Sequence, residues 1–190
     1  MSNSKFIEAA EKERFAFHKF ITDLNIFQTE NWHIYVTQSD GMDKYDILIS
    51  EIINGSVKKR LFIEIKNRVN LDLHIHNRNA LDGWFIEKQK YNSLLKYVKE
   101  DERNEAMYLN FTQRGVFLWK LKEDMGEVVK HKVEYSQCVS KGKVDKSMIL
   151  LQEQDAKHYD FIFRERDFYD FKRSLVKKKI EVKRNYGFNF

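Results

Sequence analysis

The chain has 190 residues, of which 42% are apolar and 14% aromatic; a third are charged, and the net charge is +5. That length and composition suit one domain with a substantial core and exclude a disordered polymer. No apolar run approaches the roughly 18 residues that cross a bilayer, and the single Cys138 excludes an internal disulfide and a cysteine-cluster zinc site.

Residues Met1 to Arg14 alternate charges instead of forming a signal peptide's apolar stretch, so a cytoplasmic protein without membrane partners is expected. From Lys5 to Leu24, Phe6, Ala10, Phe17, Phe20, Ile21 and Leu24 fall on one helical face, and Glu13 interrupts that stripe. Trp32 to Thr37 is β-branched and aromatic and reads as a strand, closed by a turn at Ser39-Asp40-Gly41. Tyr45 to Ile53 and Leu61 to Asn67 are strand-like runs joined through Asn54-Gly55-Ser56, which predicts an antiparallel hairpin. Leu71 to Asp82 is a polar loop. Trp84 to Lys99 shows helical spacing through Ile86, Lys90, Leu94, Leu95 and Val98.

Ala106 to Phe111 and Val116 to Leu121 predict a second strand pair around Gln113-Arg114-Gly115. Val128 to Tyr135 and Met148 to Leu151 are further strands, and Glu165 to Val182 a basic helix studded with aromatics. The predicted fold is α/β: helix, three strands, helix, two strands over residues 1–125. A C-terminal α+β extension with a basic tail follows over 126–190, packed on the same domain.

Charge is unevenly placed. Lys172, Arg173, Lys177, Lys178, Lys179, Lys183 and Arg184 stand against the single acid Glu181 in the last nineteen residues, which net +6 and leave −1 for the rest. Such an arm suits a polyanion; a solvated helix face is the plainer reading. The absence of proline, with abundant Lys, Asn, Ile and Phe, fits a low-GC coding sequence and is compatible with a phage or another mobile element.

The chemistry concentrates in YDILIS and RLFIEIKNR. Alternation puts Tyr45, Ile47 and Ile49 on one face and Asp46 with Leu48 on the other. In the next strand Leu61, Ile63 and Ile65 oppose Phe62, Glu64, Lys66 and Arg68. With the apolar faces packed inward, Asp46 and Glu64 come side by side, with Lys66 two residues on. Converging carboxylates repel unless a cation offsets them, and hard oxygen ligands with room for water suit Mg²⁺ or Mn²⁺. A neighbouring lysine can orient an attacking water and stabilise charge on a phosphate. An ordinary Glu–Lys alternation on an exposed sheet face is the bland alternative.

At these residues the chain resembles the PD-(D/E)XK nuclease superfamily, whose restriction-endonuclease-like core runs helix, three strands, helix, strand. Asp46 matches the signature acid of the second strand, and Glu64 and Lys66 match the (D/E)-x-K of the third; Tyr45 stands where the motif has proline. The resemblance spans Phe6 to Leu121. It implies a metal held by Asp46, Glu64 and the Ile65 carbonyl, with Lys66 at the water. It also implies a supporting acid on the first helix, matched by Glu13, and a second-helix residue, for which Lys90 is preferred over Lys88 and Gln89.

Other signals are weaker. Asp43 is a second-ranked alternative to Asp46. His74 and His76 lack further ligands at metal-binding spacing and better suit a nucleic-acid backbone. No Gly-rich phosphate loop and no Ser or Cys nucleophile setting stands out. The expectation is a Mg²⁺- or Mn²⁺-dependent endonuclease acting on DNA, with RNA and a homodimer both compatible. The alternatives are a catalytically inactive nucleic-acid- or protein-binding module on the same fold, and a phage structural protein with a coincidental motif.

Overall fold

The computed structural model describes residues 2–27, 29–37, 44–68, 84–134 and 143–186. The loop at 71–82 with His74 and His76, the turn at Ser39-Asp40-Gly41, Asp43 and Cys138 lie outside them.

Three helices, a mixed sheet and a smaller antiparallel sheet make up the described α/β structure. Helix α1 (Ser2–Asp23) precedes strands β1 (Trp32–Val36), β2 (Ile47–Ile53) and β3 (Ser56–Asn67). Strand β4 (Trp84–Glu87) runs straight into α2 (Lys88–Glu100), which is followed by β5 (Asn104–Thr112) and β6 (Gly115–Leu121). Then come β7 (Glu127–Glu134), β8 (Lys143–Leu151), a 3₁₀ turn, β9 (Lys157–Tyr159) and α3 (Glu165–Tyr186). No helix among the described residues is long and apolar enough to cross a membrane.

The main sheet has the order β1-β2-β3-β5-β6-β9. Its neighbours are antiparallel except β3 and β5, which run parallel because β4 and α2 carry the chain back between them. A smaller antiparallel sheet has the order β4-β8-β7.

Local chemistry accounts for several boundaries. α1 stops where Asn25 takes a left-handed φ of 54°, letting Ile26 N–H close back onto the Ile21 carbonyl at 2.8 Å. Asn54 and Gly55 have φ of 51° and 71°, the two positive values that a tight hairpin turn requires, so this dipeptide sets the β2–β3 pairing. A register shift between Glu51 and Ile52 takes up one residue before that turn.

Both faces of the main sheet are covered. On one, Phe17, Phe20 and Ile21 of α1 pack on Ile47, Ile49, Ile63 and Ile65 and on Phe161 and Phe163 ahead of α3. On the other, Tyr91, Leu94 and Leu95 of α2 pack with Phe62, Tyr108 and Trp119, and β4 and β8 add Trp84, Ile86 and Ile149. Burying each large side chain stabilises the fold by about 2 kcal/mol.

Two local expectations are corrected. The helical spacing predicted from Trp84 to Lys99 is interrupted: Trp84–Glu87 is strand, because pairing with Met148–Leu151 satisfies its backbone. Tyr45 does not share a face with Ile47 and Ile49. It precedes β2, and its ring sits against Phe62 and Tyr97 on the opposite side, at 5.1 and 5.6 Å between centroids.

Candidate active site

Asp46 is fixed by its backbone before its side chain matters. Its N–H donates to the Ile63 carbonyl at 2.9 Å, and its own carbonyl accepts from both the N–H and the hydroxyl of Thr37, at 3.0 and 2.9 Å. Its carboxylate then turns back so that Oδ2 accepts the Ile65 N–H at 2.8 Å. Across the hairpin Ile47 is registered with Ile63, so Asp46 falls beside Glu64, as strand alternation implies. Burial, and then the charge of Glu64, push Asp46 up from 3.8 to about 6, against the pull of Lys66, the Ile65 amide and Lys90.

Glu64 is 1% exposed. Its face of β3 is an interior surface, covered by α2 through Phe62 and its neighbours. Isolated there, a carboxylate would stay protonated. Burial does push it that way, but Lys66 and Lys90 outweigh it and hold Glu64 below the usual carboxylate range. Lys66 Nζ stands 3.0 Å from Glu64 Oε1, and Lys90 Nζ bonds the same oxygen. The second oxygen, Oε2, is buried and has no hydrogen-bond partner among the described residues.

Lys66 also lies 3.7 Å from Glu13 Oε1, which accepts the Asn67 N–H at 3.2 Å. The acid that breaks the apolar stripe of α1 therefore reaches the end of β3. Burial works against the Lys66 charge, but Glu64, Glu13 and Asp46 together raise its pKa well above the ordinary lysine value. Its side chain nevertheless keeps 34% exposure and reaches solvent.

Lys90 is the residue of α2 that meets this cluster; Lys88 and Gln89 are exposed. A lysine in the first turn opposes the helix dipole, and α2 has no side-chain cap bond at its start. Helix stability does not explain a lysine here, whereas the buried carboxylate beneath it does. Arg68 closes the far end of the same face, donating to the Phe85 carbonyl at 3.0 Å and to the Tyr108 hydroxyl at 3.1 Å.

Asp46, Glu64, Lys66, Glu13 and Lys90 thus converge from the residue ahead of β2, from β3, α1 and α2. Thr37 and Asn110 belong to the same region and were not singled out by sequence. Asn110 carries the signal that flagged Glu64, a polar side chain inside an apolar strand. Among the described residues no three or more His, Cys, Asp or Glu side chains group as a metal cage. Two carboxylates with water and backbone oxygen to complete the shell suit Mg²⁺, which keeps several waters, better than a dehydrated ion.

The basic arm is only partly described. Lys172 pairs with Glu11 at 2.6 Å and Arg173 with Asp170 at 2.7 Å. The side chains of Lys177, Lys178, Lys179, Lys183 and Arg184 lie outside the described residues. Tyr169 donates to Glu8 at 2.8 Å and Phe171 stacks on Phe15, so the start of α3 is fastened to α1, the helix that carries Glu13.

No family model and no curated protein matches the chain. Among solved structures it is similar to a nuclease from a fusselovirus, at 16% identity over 77% of this chain and 84% of that one, with a TM-score of 0.42. That likeness is too loose to bear on function, which is left to the geometry of the acids and lysines.

Proposed function

We propose that the chain is a Mg²⁺- or Mn²⁺-dependent nuclease of the PD-(D/E)XK kind that hydrolyses phosphodiester bonds of DNA, most simply as an endonuclease. The observation that carries this reading is the buried Glu64 carboxylate next to Asp46, with one oxygen held by two lysines and the other without a hydrogen-bond partner among the described residues. Asp46, Glu64 and the Ile65 carbonyl would hold the cation. When bound, it supplies Lewis-acid stabilisation of the phosphate and lowers the pKa of water.

The protein's own groups do the rest. Lys66, whose pKa Glu64, Glu13 and Asp46 raise in the free protein, would act as a charge and hydrogen-bond donor. Lys66 and Lys90, both gathered on Glu64, would set two positive charges where negative charge grows on the phosphate. Glu13 restrains Lys66 from the α1 side. Basic residues of α3 beyond Arg173 add sequence-independent affinity for the backbone.

The test is cleavage of supercoiled, linear and single-stranded DNA, and of RNA, with Mg²⁺, Mn²⁺ or EDTA. Cleavage that needs the divalent ion and is lost in Asp46→Asn and Glu64→Gln supports the reading. Full activity in either variant removes these residues from the site. Metal-independent binding without cleavage would favour a non-catalytic nucleic-acid-binding module.

A further inference from the structure

Asn110 is the one polar interruption of the run Met107 to Phe111 in β5. Leu109 and Phe111 point to the α1 side, so Asn110 projects to the other face, with Tyr108. The parallel register of β3 and β5 pairs Glu64 with Tyr108 and Lys66 with Asn110. A registered pair on adjacent strands is separated by about 5 Å, within the reach of a lysine. Asn110 is 0% exposed, yet among the described residues neither its amide nitrogen nor its amide oxygen has a hydrogen-bond partner.

Tyr108, the polar side chain two residues back on the same face of β5, is already engaged. Tyr108 donates to the Phe85 carbonyl at 2.9 Å and accepts from Arg68 at 3.1 Å. It lies near enough to Asn110 to feel its amide, without closing a bond of normal geometry. A buried amide left this way is costly and would be replaced by leucine if packing were its only role. Meanwhile Lys66 has three N–H donors, spent on Glu64 at 3.0 Å and on a longer approach to Glu13.

We propose that Asn110 is a positioning residue for Lys66: its amide oxygen receives the lysine ammonium when Glu64 is engaged by a divalent cation. The inference rests on the reading of Asp46 and Glu64 as metal ligands. Lys66 then has two stations, Glu64 Oε1 in the free protein and Asn110 in the loaded one. In the second station it is held beside the phosphate by a neutral acceptor, so its full charge remains available to the substrate.

Two measurements test this. In the first, Asn110→Leu and the smaller, polar Asn110→Ser are each made in the wild-type and Lys66→Ala backgrounds, and cleavage is measured at saturating DNA. The expected result is a loss in kcat of roughly tenfold to a hundredfold in the wild-type background, the scale of one hydrogen bond to a charged group. KM and Mn²⁺ affinity stay unchanged, Asn110→Leu melts no lower than wild type, and no further loss appears in the Lys66→Ala background. Loss confined to KM, equal losses in both backgrounds, or a kcat within twofold of wild type overturns the assignment.

The second needs no cleavage. The Asn110 side-chain amide signal in ¹H–¹⁵N NMR is followed through a Mg²⁺ titration, where it should move in wild type and stay still in Lys66→Ala. A signal that ignores Mg²⁺ while Lys66 is present, or that moves equally without it, overturns the proposal. If Mg²⁺ moves the signal through Lys66 but no DNA is cut, the nuclease reading fails and the role of Asn110 stands.

Discussion

Replacing Asp46 by asparagine keeps the shape of the side chain and its bond from the Ile65 amide while removing the charge. In the free protein that charge is a burden: burial and Glu64 raise the carboxyl from 3.8 to about 6. A folded-state pKa above the unfolded one favours the protonated form on folding. The associated stability is therefore full below pH 3.8 and is lost as pH rises through about 6. At 1.36 kcal/mol per pH unit, the charged carboxylate costs the fold ~3 kcal/mol near pH 8. For a chain of this size that corresponds to a melting shift of about 6–12 °C.

The assay is thermal melting of wild type and Asp46→Asn in EDTA, from pH 4 to 8. The variant should melt several degrees higher at pH 8 and level with wild type at pH 4. Adding Mg²⁺ should raise wild type and leave the variant unmoved, since ligand binding adds stability only where the ligand binds. A variant that melts lower at pH 8, or a gap that does not change with pH, would refute the placement of Asp46 as a half-buried, electrostatically burdened ligand.

The neighbouring positions should behave differently. Glu64→Gln removes the counter-charge of both Lys66 and Lys90, so it should destabilise the free protein at pH 8 by about 2 kcal/mol, measured by urea unfolding; the lysines' partial exposure limits the loss. Its depressed folded pKa also gives the opposite slope to Asp46, with stability present above 4.5 and lost as pH falls. Lys66→Ala should keep or tighten Mn²⁺ binding, read by calorimetry, while lowering turnover by roughly two to three orders of magnitude. Charge reversal of Lys177, Lys178 and Lys179 together should weaken DNA binding and flatten its salt dependence by about three logarithmic units of slope, since each phosphate contact contributes about 0.9. Reversal of Lys172 and Arg173, already paired with Glu11 and Asp170, should flatten it less.

The hairpin was legible because Asn54-Gly55 fixes its turn and the alternation of DIL and FIEIK fixes its faces, so the approach of Asp46 to Glu64 could be reasoned from local rules; Tyr45, ahead of β2, escapes that alternation. Lys90 could be preferred over Gln89 from its phase with Leu94, and Glu13 from its break in the α1 stripe. What alternation could not show is that the acid-bearing face of β3 is interior. That depends on α2 and β4 folding over it, a long-range event. The same event makes a strand of Trp84–Glu87, whose side chains fit the helical spacing of the residues after them; pairing with β8 overrides that local pattern. Strand β9 is three residues long and exists through its pairing with Val116–Leu118, leaving almost no periodicity to read. Asn110 was legible in principle, but its polar character becomes informative only beside Lys66, which is a fact of register between β3 and β5.

The junction of β4 with α2 has no linker: Glu87 ends the strand and Lys88 begins the helix. The rotational phase of α2 is thus set by the pairing of Trp84–Glu87 with Met148–Leu151, because there is no loop in which an error of angle could be absorbed. Each residue added or removed at the junction turns the helix by roughly 100°. One deletion would swing Lys90 off Glu64 and carry the buried Tyr91 out of its seat as well. Strand β8, some sixty positions away from Lys90 in sequence, therefore acts as the protractor of the site. A chain that inherits this fold can vary the length of its loops freely, but at Glu87–Lys88 it has to keep count.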